Sequence, residues 1–466
     1  VVTPIDPTSA AFLLAENRRM PMHVAALQLF ETPDGAGRDY PRRMFEAMSD
    51  VPRVAPLFRK HPRRSLALAG QLAWHYDDDA EFDLGHHVRH AALPRPGRIR
   101  ELLDLTSRVH GTRLAWDRPL WESYVIEGLR DGRVAMYTKT HHALVDGISA
   151  MRLMQSVLTT DPAQRGMPAP WAERPGTSRS RAERSLADVP ASALRTALGL
   201  SAEAAGMPAA LVRTLNKGLR NETSAISLYA PRTMFNQTIS GARRFAAQDW
   251  PIARLRAVGK SSGTTINDVV LAMCSGAVRR YLIELDALPE TTLVAMVPVG
   301  LNARDSHLAS ADGGNAVGSV MCRLGTDLED AADRLMGIHG SMRDGKQALA
   351  SMTPAQIVAM SALGQAPAIL APLLRMQGLV RPPYNLIISN VPGPRTTHYW
   401  NGAKLVGSYP VSIPINGMAL NITCTSYDTQ MAFGLTGCRR TVPHLQRLLT
   451  HLDDELAALE QATGVS

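Results

Sequence analysis

The run HHALVDG sets two adjacent histidines, His141 and His142, four residues ahead of Asp146 and Gly147, and these are the residues of the chain best suited to chemistry. A neutral imidazole can take a proton from a hydroxyl near neutral pH, because its ordinary pKa lies close to that pH. His142 is therefore the candidate base. Asp146 has two readings: it caps the free N–H groups of the helix that follows, or it shapes the turn through an ion pair with an arginine. Both make it architectural. A bare HxxxD recurs by chance in long chains, so the full seven-residue run is the more specific pattern. Zinc is a poorer reading. HHxxxD lacks the H-E-x-x-H helical arrangement, and His86, His87 and His90 have no acidic residue on the same helical face, so no metal is expected.

These residues need a scaffold. Residues 133–140 alternate as a strand, while Ile148, Met151, Met154 and Leu158 recur at helical spacing, which puts HHALVDG at a strand-to-helix junction where side chains face a cleft. At 466 residues the chain exceeds what one core serves well, so two domains or two pseudo-equivalent halves are expected. Turn signals at Pro33-Asp34-Gly35, residues 94–97 and Asp131-Gly132 separate helical and strand-like segments, giving a mixed α/β reading. Residues 161–185 shift to Pro, Arg, Ser and Gly, and 186–219 have a broken helical character. The predicted division is thus 1–160, a linker with bridging helices at 161–220, and 221–466. In the last part a long helix is predicted at 267–285, strands at 292–299, 384–389 and 418–425, and a closing amphipathic helix at 443–462.

Composition excludes several classes. Apolar residues at 45% and charged residues at 20% describe a globular protein rather than a disordered one. The 50 Lys and Arg against 42 Asp and Glu give a formal charge of +8, which favours anionic partners such as acidic lipid or a phosphorylated cofactor. Nucleic acid is not expected, since the arginine-rich run at 178–184 lacks interleaved aromatics for base stacking. Four cysteines without a CxxC pair point away from a zinc ribbon or disulfide framework and toward a reducing cytoplasm. The N-terminal residues do not read as a secretory signal. The stretch 357–380, broken by Gln365, Pro367, Pro372, Arg375 and Gln377, should not span a bilayer; it reads as core or as a segment lying on a lipid surface. No GxxxxGK[ST] loop is present for nucleotide hydrolysis.

HHALVDG resembles the HHxxxDG signature of the CoA-dependent acyltransferase superfamily. The wider pattern is similar to the bacterial wax ester synthase/diacylglycerol acyltransferases: PMHVAALQLF at 21–30, RPLWESYVIEGL at 118–129, TTINDVVLA at 264–272, GGNAVGSV at 313–320, NLIISNVPGPR at 385–395 and PVSIPINGMALNITCTSYD at 410–428 follow in the same order. VPVGLNAR at 297–304 departs from the family's VPVSVR, which puts any role of Arg304 in doubt. The resemblance implies two chloramphenicol-acetyltransferase-like α/β halves with the reaction centre in a channel between them. It implies acyl-CoA as co-substrate, no bound cofactor, and a lipid hydroxyl acceptor, either diacylglycerol or a fatty alcohol. It also implies work at a membrane or lipid-droplet surface on the cytoplasmic side.

Under that resemblance the remaining candidates acquire roles. Asn267, in the first turn of its helix with Asp268, either bonds backbone amides or offers an amide to the carbonyl oxygen as it becomes anionic. Trp121 either seals the core or lines an acyl channel. Ser389 and Asn390 end a strand and could donate into the cleft, whereas Pro392, Gly393 and Pro394 are explained by a tight turn. Arg243 and Arg244 could receive the CoA phosphates or sit as a solvated pair. Two rivals stand beside this reading: a condensation-type or polyketide-associated acyltransferase fed by a carrier protein, and a catalytically silent lipid-droplet coat.

Overall fold

The computed structural model describes residues 2–65, 70–78, 80–174, 230–300, 317–350, 352 and 381–465. The first part of the chain runs β1 (Val2–Pro4), α1 (Pro7–Ala15), β2 (His23–Glu31), α2 (Tyr40–Ser49), β3 (Lys60–Ser65), β4 (Gln71–Tyr76), α3 (Leu84–His87), β5 (Val88–Ala92), α4 (Ile99–His110), β6 (Trp121–Glu127), β7 (Val134–His141) and α5 (Gly147–Gln155). The second part runs β8 (Arg243–Pro251), α6 (Ile252–Ser262), α7 (Ile266–Glu284), β9 (Val294–Gly300), β10 (Val317–Arg323), α8 (Ala331–Ala350), β11 (Leu386–Val391), β12 (Tyr399–Trp400), β13 (Ala403–Val411), β14 (Leu420–Tyr427), β15 (Gln430–Cys438) and α9 (Arg447–Ala462). The bridging helices expected at 186–219, the stretch 357–380, residues 313–316 and Arg304 lie outside the described residues.

Among the described residues two six-stranded sheets carry the architecture, in the orders β12-β13-β2-β7-β6-β5 and β10-β9-β11-β14-β15-β8, beside a small sheet β1-β4-β3. This is the mixed α/β class expected. Strand β7 sits in the interior of the first sheet, antiparallel to β2 and β6, and every one of its positions is buried. That includes Lys139, which survives burial because its ammonium donates to the carbonyls of Val109 (3.2 Å) and Thr112 (2.9 Å) and pairs with Glu122 at 3.2 Å. A strand covered on both faces cannot slip in register without misplacing such a group, and so it delivers His141 at a fixed height.

The division at the linker is not a clean cut through the chain. Strands β12 and β13 come from the second part yet join the first sheet beside β2. In doing so β13 crosses β14 and β15 at close range: a Cβ on Gly434 would lie 1.9 Å from the Pro410 carbonyl oxygen, so only glycine fits where the two sheets meet. In the second part α7 is buried on nearly every face between its sheet and helices α8 and α9, the pattern of a core helix. No helix among the described residues is long and apolar enough to cross a membrane.

Candidate active site

HHALVDG leaves β7 and enters α5 as the junction predicted. The chain turns through residues 142–144, with Leu144 N–H donating to the His141 carbonyl at 2.9 Å. Asp146 then caps α5: one carboxylate oxygen accepts from Ser149 N–H and the other from the Ser149 hydroxyl, both at 2.8 Å. The capping reading holds, and no arginine pairs with Asp146 among the described residues. Gly147, the first helical residue, is exposed, and a Cβ there would meet nothing within 4 Å, so the space before the helix is open.

The two histidines face different ways. His141 is fully buried; its Nδ1 accepts from Ala143 N–H at 3.1 Å and its Nε2 lies 3.6 Å from a carboxylate oxygen of Glu16. Its contacts hold the turn, so the catalytic part expected of it would be one of position. His142 is partly exposed, its backbone N–H donates to the Met22 carbonyl at 2.8 Å, and its ring stacks on Phe12 with centroids 4.1 Å apart. Burial against this apolar wall pushes its pKa down to about 4, against the opposing pull of Asp146, so the ring is unprotonated at neutral pH.

Sequence reasoning missed the helix that clamps the motif. Ser9, Phe12, Leu13 and Glu16 recur at helical spacing along one face of α1 and its C-cap. The Ser9 hydroxyl donates to the Ala143 carbonyl at 2.9 Å, Phe12 stacks on His142, Leu13 packs with Ala143 and Leu144, and Glu16 faces His141. Glu16 is fully enclosed and accepts from Met22 N–H (3.1 Å), Trp116 Nε1 (2.6 Å) and Arg113 (3.0 Å). Burial would raise its pKa, but His141 and these donors outweigh it and hold the carboxyl at about 2. The signal was the i, i+3, i+4, i+7 spacing, which any amphipathic helix shares.

The other candidates separate. Asn267 and Asn390, from distant blocks, come together, with Asn390 Nδ2 donating to Asn267 Oδ1 at 3.4 Å. The Asn267 Nδ2 group is left without a partner among the described residues. Thr265 and Asp268 cap α7 reciprocally, so Asn267 is spared that duty. Ser389 and Asn390 end β11, which runs parallel to β14, and Thr425 of β14 touches Met151 of α5 at 3.3 Å. A small cavity between the sheets is lined there by Gln28, Met151, Met154, Pro394, Thr425 and Tyr427. Gly393 is required by close approach, since a Cβ would lie 2.0 Å from the Ser426 carbonyl oxygen.

Two expectations are corrected. Trp121 is fully buried, donates its indole N–H to the Phe58 carbonyl at 2.8 Å and stacks on His87, so it seals the first core rather than lining a channel. Arg243 is 4% exposed and spends its guanidinium on the carbonyls of Ser240 and Arg19, with burial lowering its pKa to about 10, so it cannot receive a phosphate. Arg244 is partly exposed and held by Asp104 at 2.8 Å, so any phosphate would compete with that carboxylate.

Burial also depresses His87 to about 4 and His110 to about 3. Unfolded, these rings and His142 titrate at the ordinary 6.5, so as pH falls below that value the unfolded state binds the protons first. Stability is fully present above pH 6.5 and is expected to fall steadily down to about pH 3. Urea midpoints measured across this window test it; a level midpoint would show that the rings are already charged in the folded chain.

The HHxxxDG run at the end of β7, in a chain built on two six-stranded mixed sheets, with His142 partly exposed against Phe12, is the pattern of an acyltransferase of the HHxxxDG class. The family model described as the wax ester synthase/diacylglycerol acyltransferase catalytic domain matches residues 5–270, and the WS/DGAT C-terminal domain matches 313–460. The chain belongs to the wax ester synthase/diacylglycerol acyltransferase family. A putative diacylglycerol O-acyltransferase of Mycobacterium tuberculosis is 48% identical over 462 residues, covering 99% of this chain and 100% of the relative. The wax ester synthase/diacylglycerol acyltransferase of Marinobacter aquaeolei VT8 superposes with a TM-score of 0.79 at 43% identity, over 99% of this chain and 100% of that one. The first condensation domain of the CDA synthetase, at 16% identity and TM-score 0.57 over 99% and 96% of the two chains, shares the fold alone.

Proposed function

We propose that the chain transfers a long-chain acyl group from acyl-CoA to the hydroxyl of diacylglycerol or a fatty alcohol, forming triacylglycerol or a wax ester. His142 removes the acceptor's proton as its oxygen attacks the thioester carbonyl, and returns a proton to the CoA sulfur as the thiol leaves. No acyl-enzyme forms. Asn267 offers its free amide to the carbonyl oxygen while that oxygen carries charge. The observation that carries this reading is the partly exposed His142 ring of HHALVDG, held against Phe12 of α1 at the end of β7. Each buried acyl methylene contributes about 0.8 kcal/mol, which favours long donors. The net charge of +8 suits peripheral attachment to acidic lipid at the inner membrane leaflet or a lipid droplet. Arg244 is retained as a phosphate contact.

The test is the product profile with one long-chain acyl-CoA and both acceptors in competition, with free thiol followed in parallel. Triacylglycerol or wax ester formed with matching thiol release supports the reading. Release from an acyl carrier protein alone would favour the condensation-type rival. No release across a broad panel, with binding to lipid vesicles retained, would favour a silent coat.

A further inference from the structure

We propose that His61, His75 and Asp77 form a binding site for a zinc-type divalent metal ion on the β3–β4 hairpin. Antiparallel pairing sets His61 directly opposite His75, and Asp77 lies two residues beyond His75 on the same face. One ligand atom from each of the three lies within 4.8 Å of the others, and no other such group of three occurs among the described residues. Two imidazole nitrogens and a carboxylate oxygen are the donor set that suits zinc, leaving a fourth position for water.

A simple ion pair does not account for the group. His61 Nδ1 approaches Asp77 Oδ1 at 2.9 Å, with both side chains about one-tenth exposed. That contact leaves His75 Nδ1 buried without any hydrogen-bond partner, and the His61 Nδ1 contact lacks hydrogen-bond geometry. Buried ring nitrogens are normally satisfied, and a shared cation would satisfy both while balancing the Asp77 carboxylate. The backbone is already fixed for this: Asp77 N–H donates to the Arg59 carbonyl at 2.9 Å, and the Arg59 guanidinium donates to the Asp77 carbonyl in return.

The site has a use in the fold. Trp74 points to the opposite face of the hairpin and packs with Leu13 and with Ala143 and Leu144 of the HHALVDG turn itself. A cation joining β3 to β4 would stiffen the wall behind that turn without taking part in acyl transfer. The hairpin pairing, and no short sequence motif, assembles the site, which is why the sequence reading expected no metal.

The test uses the full chain, stripped with chelator and titrated with Zn²⁺ against a chromophoric competitor, then with Co²⁺ to read visible absorption from bound ligands. One equivalent per chain is expected, with a rise in melting temperature on adding Zn²⁺. His75→Ala should weaken binding by at least about a hundred-fold, more than loss of an outer hydrogen-bond partner costs, and abolish the thermal shift. Asp77→Asn preserves side-chain shape and gives a second reading if His75→Ala folds poorly. Absence of binding by the wild-type chain, or an affinity unchanged in both variants, would overturn the site.

Discussion

Replacing His142 by alanine is expected to lower kcat by roughly 10²–10⁴, the usual contribution of a positioned general base, with little change in the unfolding midpoint. The turn is held through the His142 backbone N–H, which alanine keeps, and not through the ring nitrogens. What the variant loses is the stacking contact with Phe12 and the basic nitrogen. KM for acyl-CoA should move little, because the ring acts on the acceptor's proton rather than on the donor's body. Thiol release under saturating substrates, with far-UV circular dichroism on the same preparation, checks both halves of the expectation. A folded variant with kcat within about tenfold of wild type would place the base elsewhere.

The HHALVDG junction was legible because it is local. Strand, turn and helix occupy consecutive residues, and the periodicity changes from two to about 3.6 within a few positions of His142. The same periodicity placed α7, β9, β11, β14 and α9 to within a few residues of where they fall. What escaped is what antiparallel pairing and tertiary contact assemble. Glu16 meets Arg113 and Trp116 across about a hundred positions of chain, and no spacing rule links them. Strand β13 leaves its neighbours in sequence to complete the other sheet, a crossover that composition does not reveal. Arg243 and Arg244 looked alike as a pair, yet alternation along β8 buries the first and leaves the second at the surface, so adjacent arginines end with opposite roles. Trp121 illustrates the remaining ambiguity, since the same large apolar side chain serves a core or a channel until its neighbours are known.

Glu16→Ala is expected to cost about 3–5 kcal/mol of stability, the range for removing one partner from a buried charged network, and to lower kcat further than that loss explains. The carboxylate holds two parts of the motif at once. It faces His141 directly, and it accepts from Met22, whose own carbonyl receives the His142 backbone N–H. Without it, the Met22 and Trp116 donors are left unpaired in a closed space, and the backbone that aims His142 loses its anchor. Because Glu16 is fully enclosed and acts through His141 and Met22, it is a positioning residue, and the expected signature is a fall in kcat with KM for acyl-CoA nearly constant. Glu16→Gln separates shape from charge. Its pKa of about 2 against an ordinary 4.5 means the wild-type carboxylate contributes stability that is complete above pH 4.5 and drains away as pH falls toward 2. The glutamine variant has no such proton to take up, so its stability should fall less steeply than wild type in that window, while its kcat lies between those of wild type and alanine. Equal pH slopes in wild type and Glu16→Gln would mean the folded carboxyl is not held below its ordinary pKa, and the clamp would then be one of shape alone.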